Sequence, residues 1–418
     1  MPKVHWRLFF IFFFCVHFSL FSQTERIKEF TKKLCSPEFQ GRGYVSSGDS
    51  LAAEYIAKTY QEIGLKPYNG TYFQSFAFSV NTFPGKLSLT LDSKKLIPGV
   101  HFWVNPSSGG GSFEGEIMNL SFDEVYHYKL DNRKLKQGTT LIWRNVGYKG
   151  DTLARLNENI LRLTSVAPLI EVIDSKYAWS VAQKRTSFPY LVLQDSVFNS
   201  SSQWVSMEID SRLTLHQARN VIGFLPAIHE TNKTILISAH YDHLGRMGKD
   251  VYFPGGNDNA SGNAMIISLA EEFLKKPLKK YNILFVAFAG EEVGLLGSKY
   301  MVERSIIPLN EIRFMLNLDI MGSGEEGITV VNSTLFPKEF KALRKLNKKL
   351  NAVPLVKPRG PAANSDHYFF TEANVPAFFI YTMGTNKHYH DVFDTYNELS
   401  FSAFDKLSML FEHFIRKL

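Results

Sequence analysis

A handful of acidic and imidazole residues stand where chemistry could be done. His240 closes the apolar run Thr234–Ala239, with Asp242 two positions on. Glu291 and Glu292 follow the run Asn282–Ala289 after a single glycine. Asp319 follows Phe314–Leu318, and His390 lies nine residues beyond Ala377–Tyr381. Asp258 sits in the loop Gly255–Gly262, which leads into a helical stretch. A lone His after a strand is more often a hydrogen-bonded structural residue than a ligand. A lone Asp before Asn-Ala-Ser-Gly reads as a helix cap. Five such positions and a Glu-Glu pair, on successive strand–loop units, point elsewhere. Open α/β sheets bind ligands outside the carboxyl ends of their strands, so these side chains would meet in one crevice.

The residue types indicate a metal. Two His and three carboxylates, with no thiolate, suit Zn2+, with Co2+ or Mn2+ as substitutes. Five ligands exceed what one tetrahedral zinc with an open position needs. They match two cations about 3.5–4 Å apart that share one carboxylate. His240 and Asp242, at i and i+2 of an extended segment, face the same way. Asp242 can then accept the second ring N–H of His240 and fix its tautomer.

Positioning these groups requires a sheet. The apolar runs alternate with helical patterns at Asn263–Lys276, Phe340–Leu350 and Phe404–Leu418. Continuous apolar strands between helices predict an α/β domain, its mostly parallel (mixed) sheet flanked by helices on both faces. Residues 26–66 also read as helical, broken by a turn at Gly41-Arg42-Gly43, with Gly64 as a C-cap glycine. Between 81 and 210 short β-like runs alternate with turns. This segment is expected to be an inserted, mainly β domain acting as a lid or binding module. The catalytic domain is then 23–80 plus 211–418.

The chain has 418 residues, 44 % hydrophobic and 21 % charged, which excludes disorder as its main state. Its two cysteines, Cys15 and Cys35, exclude a disulfide scaffold or a Cys-rich zinc module. The net charge is +7, but pairs such as Lys275-Lys276 and Lys279-Lys280 read as solvated helix ends, so no nucleic-acid partner is expected. Residues 1–22 have the form of a secretory signal: Lys3 and Arg7, the apolar run Leu8–Leu20, and Ser22 as a small residue for cleavage. An exported protein, secreted or periplasmic, is expected, with no stable membrane insertion once the signal is removed. An uncleaved anchor is the other reading.

These residues also resemble a known family. Ile237–Gly245 (ISAHYDHLG), Gly256–Gly262 (GNDNASG), Phe288–Ser298 (FAGEEVGLLGS), Asn317-Leu318-Asp319, Ser365-Asp366-His367 and His390–Thr395 (HDVFDT) follow in one order. That order is similar to metallopeptidase family 28, the secreted co-catalytic zinc aminopeptidases. Leu34–Gly64 and Tyr72-Phe73-Gln74 fit it as well, and the 81–210 insert sits where many members carry a protease-associated domain. The resemblance implies that Asp258 bridges two zinc ions, that His240 and Asp319 complete one site, and that Glu292 and His390 complete the other. It makes Glu291 the general base and Asp242 the residue that orients His240. It favours His390 over His388, because Asp394-Thr395 lies four residues beyond the former. Peptides with a free N-terminus would be the substrates.

Two positions depart from the family pattern. Ala362 stands where many relatives have an oxyanion-steadying Tyr, with Tyr389 as a substitute, and Asp391 stands where Thr is common. Two rival functions remain: a glutaminyl-peptide cyclotransferase on the same fold, and a non-catalytic binding ectodomain.

Overall fold

The computed structural model describes residues 25–418 apart from 132 and 134, so the expected signal at 1–22 lies outside the described residues. Helix α1 covers 25–34. Helix α2, Gly48–Ile63, buries Ala52, Ala53, Ile56, Ala57 and Tyr60 at three- to four-residue spacing. It ends on Gly64 (φ 100°), whose N–H bonds the Gln61 carbonyl, a conformation that favours glycine.

Strand β1 (Phe73–Thr82) carries the chain out to the insert, and β2 (Arg212–Leu225) brings it back. The two pair antiparallel from Phe73–Val221 to Thr82–Arg212. The chain then alternates: β3 (Thr234–His240), α3 (Ser261–Lys275), β4 (Asn282–Phe288), α4 (Leu296–Glu303), β5 (Ile312–Asp319), β6 (Gly327–Val331), α5 (Pro337–Leu350), β7 (Val356–Pro358), α6 (His367–Glu372), β8 (Ala377–Met383) and α7 (Phe404–Ile415). The sheet order is β2-β4-β3-β5-β8-β6-β7, with β1 and Lys66–Pro67 on β2. β4, β3, β5 and β8 are parallel neighbours; β2 and β6 run against them.

This is the expected mixed α/β sheet, and its layers explain the apolar runs. Ile235, Ile237 and Ala239 of β3 pack with Met265, Leu269 and Phe273 of α3. Leu236 joins Leu284, Val286, Met301 and Phe370 on the opposite face. A strand buried on both faces must be apolar throughout. At ~25 cal/mol per Å2 of apolar surface, each fully buried Leu, Ile or Phe here contributes about 1.5–3 kcal/mol before entropy is subtracted. Because the four central strands are parallel, their carboxyl ends share one edge of the sheet.

The insert forms a second, eight-stranded sheet. Half of it is parallel: Gly111–Asn119, Thr140–Arg144, Leu169–Ile173 and Tyr190–Gln194. The sequence reading did not anticipate its amphipathic helix, Gly150–Leu163, which buries Leu156, Ile160 and Leu163 and supplies the crossover between the second and third of these strands. The next crossover, 174–189, has no helix. It leaves the insert and meets the larger α/β unit, where the Trp179 N–H bonds the His390 carbonyl.

Candidate metal centre

The parallel strand ends bring all the candidate ligands to one place. Asp258 lies between two imidazoles: its Oδ1 is 3.2 Å from Nε2 of His240, and its Oδ2 is 3.2 Å from Nε2 of His390. His240 Nε2 is also 3.4 Å from Asp319 Oδ2, and His390 Nε2 is 3.1 Å from Glu292 Oε2. Glu291 joins His240 and Asp319, with donor atoms all within 4.8 Å of one another. His388 faces elsewhere, its nitrogens 3.8–3.9 Å from Glu398 and Asp391.

Both imidazoles are held the same way. Nδ1 of His240 is 3.1 Å from the Asp242 main-chain oxygen, and Nδ1 of His390 is 2.7 Å from that of Trp179. A carbonyl only accepts, so each Nδ1 carries a proton and each Nε2 faces inward, where it gives up its own proton for a metal to be ligated. The carboxylate of Asp242 does not fill the expected role: its Oδ1 is 3.8 Å from His240 Nδ1. It instead accepts the backbone N–H groups of Glu291 and Glu292, both at 3.2 Å, and the Tyr44 hydroxyl at 2.5 Å. Asp242 thus fixes the turn that presents the Glu pair.

The electrostatics fit cations. Burial raises the Asp319 carboxyl to about 6, helped by Asp258 and Glu292. Burial, then the neighbouring Glu292, Asp366 and Asp319, pushes Glu291 well above its usual range. Burial opposes charge on His390, but Glu292 and Asp258 outweigh it and lift the imidazole to about 11. His240 is raised likewise by Asp319 and Glu291 against its burial. Asp319 Oδ1 is buried with no hydrogen-bond partner. So many carboxylates in a desolvated space, an orphaned oxygen among them, match the oxygen–nitrogen donor set of zinc. Bound divalent cations would remove the repulsion that lifts these acids.

Residues 220–415, which contain every candidate ligand, match Peptidase family M28. The matched span is just under half of the chain, and over it the chain is similar to that family. The 81–210 insert lies outside the matched span. A leucine aminopeptidase 1 of Colletotrichum graminicola is 25 % identical over 56 % of this chain and 66 % of its own length, just under two thirds. A probable leucine aminopeptidase of Arthroderma otae is 26 % identical over 64 % and 77 % respectively. Among solved structures, a zinc aminopeptidase from Bacillus subtilis shares the fold at TM-score 0.69 and 16 % identity, with 94 % of each chain covered. An aminopeptidase from Aneurinibacillus sp. strain AM-1 does so at 0.65 and 19 %, covering 94 % of this chain and 92 % of its own.

Several residues around this centre carry more than their sequence pattern indicated. His243 is fully buried, and its Nδ1 is 2.7 Å from Glu292 Oε1, which leaves Glu292 Oε2 for His390. Its only signal was a third polar residue in His240–His243. Asp394, read there only as a register mark, accepts the backbone N–H groups of Asn257 and Asp258 at 3.0 Å and so holds the Asp258 loop. Arg42 is fully buried and donates to carbonyls of Leu34, Tyr241, Pro254 and Gly255, at 2.7–3.0 Å. Beside it Gly43 packs so closely on Gly245 that a Cβ would lie 2.4 Å from the Gly245 Cα. The Gly-Arg-Gly turn therefore ties the N-terminal helices to the floor of the site. Tyr389 is exposed and stacks on His390, with centroids 3.9 Å apart. A cavity of about 350 Å3 opens beside Asp258, lined by Ile320, Tyr381, Met383 and Tyr389 among others. Among the described residues, no helix is long and apolar enough to cross a membrane.

Proposed function

We propose that the chain is an exported, two-zinc aminopeptidase. The observation that carries this reading is Asp258, whose two oxygens face two different imidazoles, each with its own second carboxylate. His240 and Asp319 would hold one ion, His390 and Glu292 the other, and Asp258 both. Bound there, the ions would polarise the scissile carbonyl and bring the pKa of water towards neutrality. The protein's own part is proton transfer and placement. Glu291, whose carboxylate lies with His240 and Asp319 but is left out of both ligand sets, takes the proton of the attacking water and delivers it to the leaving amine. Asp242 and Tyr44 hold the Glu291 backbone in place. The acidic cluster attracts a free amino terminus, and the apolar cavity beside Asp258 receives the first side chain. Tyr389, over His390, is positioned to donate to the developing oxyanion in place of a Tyr at 362. Export is supported by the pattern of residues 1–22.

The test is digestion of a peptide library by zinc-reconstituted protein. One-residue shortening from free N-termini is expected, with none from N-acetylated peptides. Ammonia release from glutaminyl peptides without hydrolysis of aminoacyl anilides would replace this reading with the cyclotransferase.

A further inference from the structure

We infer that the helix-free crossover of the insert, residues 174–189, is a strap that positions the ligands of one metal site and not the other. The inference rests on the two-ion reading above. The strap meets the His390 loop at three points. The Trp179 carbonyl accepts from His390 Nδ1 (2.7 Å), and the Trp179 N–H donates to the His390 carbonyl (3.3 Å). Lys176 Nζ lies 2.8 Å from the Lys387 carbonyl and 2.7 Å from Asp391 Oδ2. Further along, Gln183 donates to the carbonyl of Val293 (2.8 Å), the residue after Glu292. His390 and Glu292 are the two ligands that Asp258 joins at this half. None of these strap contacts reaches His240 or Asp319.

Two further observations point the same way. His390 has φ 52°, a left-handed backbone that a non-glycine residue keeps only when its surroundings hold it, and Trp179 bonds it on both sides. Trp179 is itself anchored. Its ring stacks on Phe253 at 4.7 Å and 3°, and Nε1 donates to the Val104 carbonyl at 2.7 Å. Val181 packs against the cores of both domains. The strap is thus fastened to the insert at one end and to the ligand loops at the other. Trp179, Lys176 and Gln183 are positioning residues, acting through His390, its loop and the backbone beside Glu292.

The experiment is a zinc titration of chelator-stripped, full-length protein, followed by calorimetry and by zinc per chain after gel filtration. Wild type is expected to take two ions; one ion only would overturn the two-site reading itself, before any strap variant is made. Trp179→Ala, and separately the paired Lys176→Ala/Gln183→Ala, should weaken one zinc by about 10–100-fold and leave the other unchanged. In a His240→Ala background the same changes should weaken the remaining ion, and in a His390→Ala background they should not. The paired variant alters side chains at the surface and keeps the test open if Trp179→Ala does not fold. Equal weakening of both ions, or of neither, overturns the strap.

Discussion

The two halves of the proposed metal centre use nearly the same donors on different supports. His240 and Asp319 end neighbouring parallel strands, paired through Ser238–Asn317, and His240 leans on a carbonyl two residues away in its own chain. His390 sits on a loop beyond β8 and leans on a carbonyl more than two hundred residues distant, in the insert. The first half is made rigid by sheet pairing, and its imidazole is fully buried. The second is slightly exposed at His390 (12 %) and depends on a long-range contact. Equal chemistry does not require equal scaffolding. The loop-borne half is the one open to adjustment by a neighbouring domain.

The comparison breaks most severely at the residue both halves share. Asp258→Asn should leave well under one zinc per chain and no measurable hydrolysis; two retained ions would show that the halves do not meet there. Glu291→Gln should keep both ions and lower kcat by about 10²–10⁴-fold, since it removes a proton acceptor and no ligand. His390→Ala should lose one ion, while His388→Ala keeps both; the reverse would place the wrong imidazole in the second half. His243→Ala should weaken only the His390-side ion, by ~10–100-fold, because it frees Glu292 and leaves Asp319 untouched. Fluorescent zinc competition reads this directly.

The smallest effect is on stability. Without cations, Asp242 and Asp319 sit at about 6, and Asp366 and Asp394 at about 7, all raised chiefly by burial. The folded state then holds protons that the unfolded state has released above ~4, so stability falls as pH rises from about 4.5 to 7. Raised imidazoles act in the same direction above ~6.5. Chelated protein should therefore melt several degrees lower at pH 7.5 than at pH 5.5. Zinc should flatten that slope by displacing the protons. An unchanged slope with zinc would mean that the ions bind elsewhere.

Much of the larger α/β domain was legible because parallel strands buried on both faces cannot hide. The runs at 234, 282, 314 and 377 all proved to be strands at nearly those bounds. Gly64 closed its helix as a residue free to take positive φ. Other elements left weaker marks. Helix α5 begins at Pro337, before its apolar period starts, and β6 and β7 are too short to show one. The helix Gly150–Leu163 is mostly polar, and its stripe of three buried apolar residues did not stand out in a β-rich stretch.

From the sequence alone came the candidate residues that the fold gathers at one place, since a donor placed at the end of a buried strand is marked by the abrupt change from apolar to charged. Only the folded chain assigned their supports. It gave the tautomer of His240 to a main-chain carbonyl instead of the Asp242 carboxylate, set His243 and Asp394 behind the ligands, and brought Trp179 to His390. Those contacts run through backbone groups, which every residue carries alike, so no side-chain pattern could announce them.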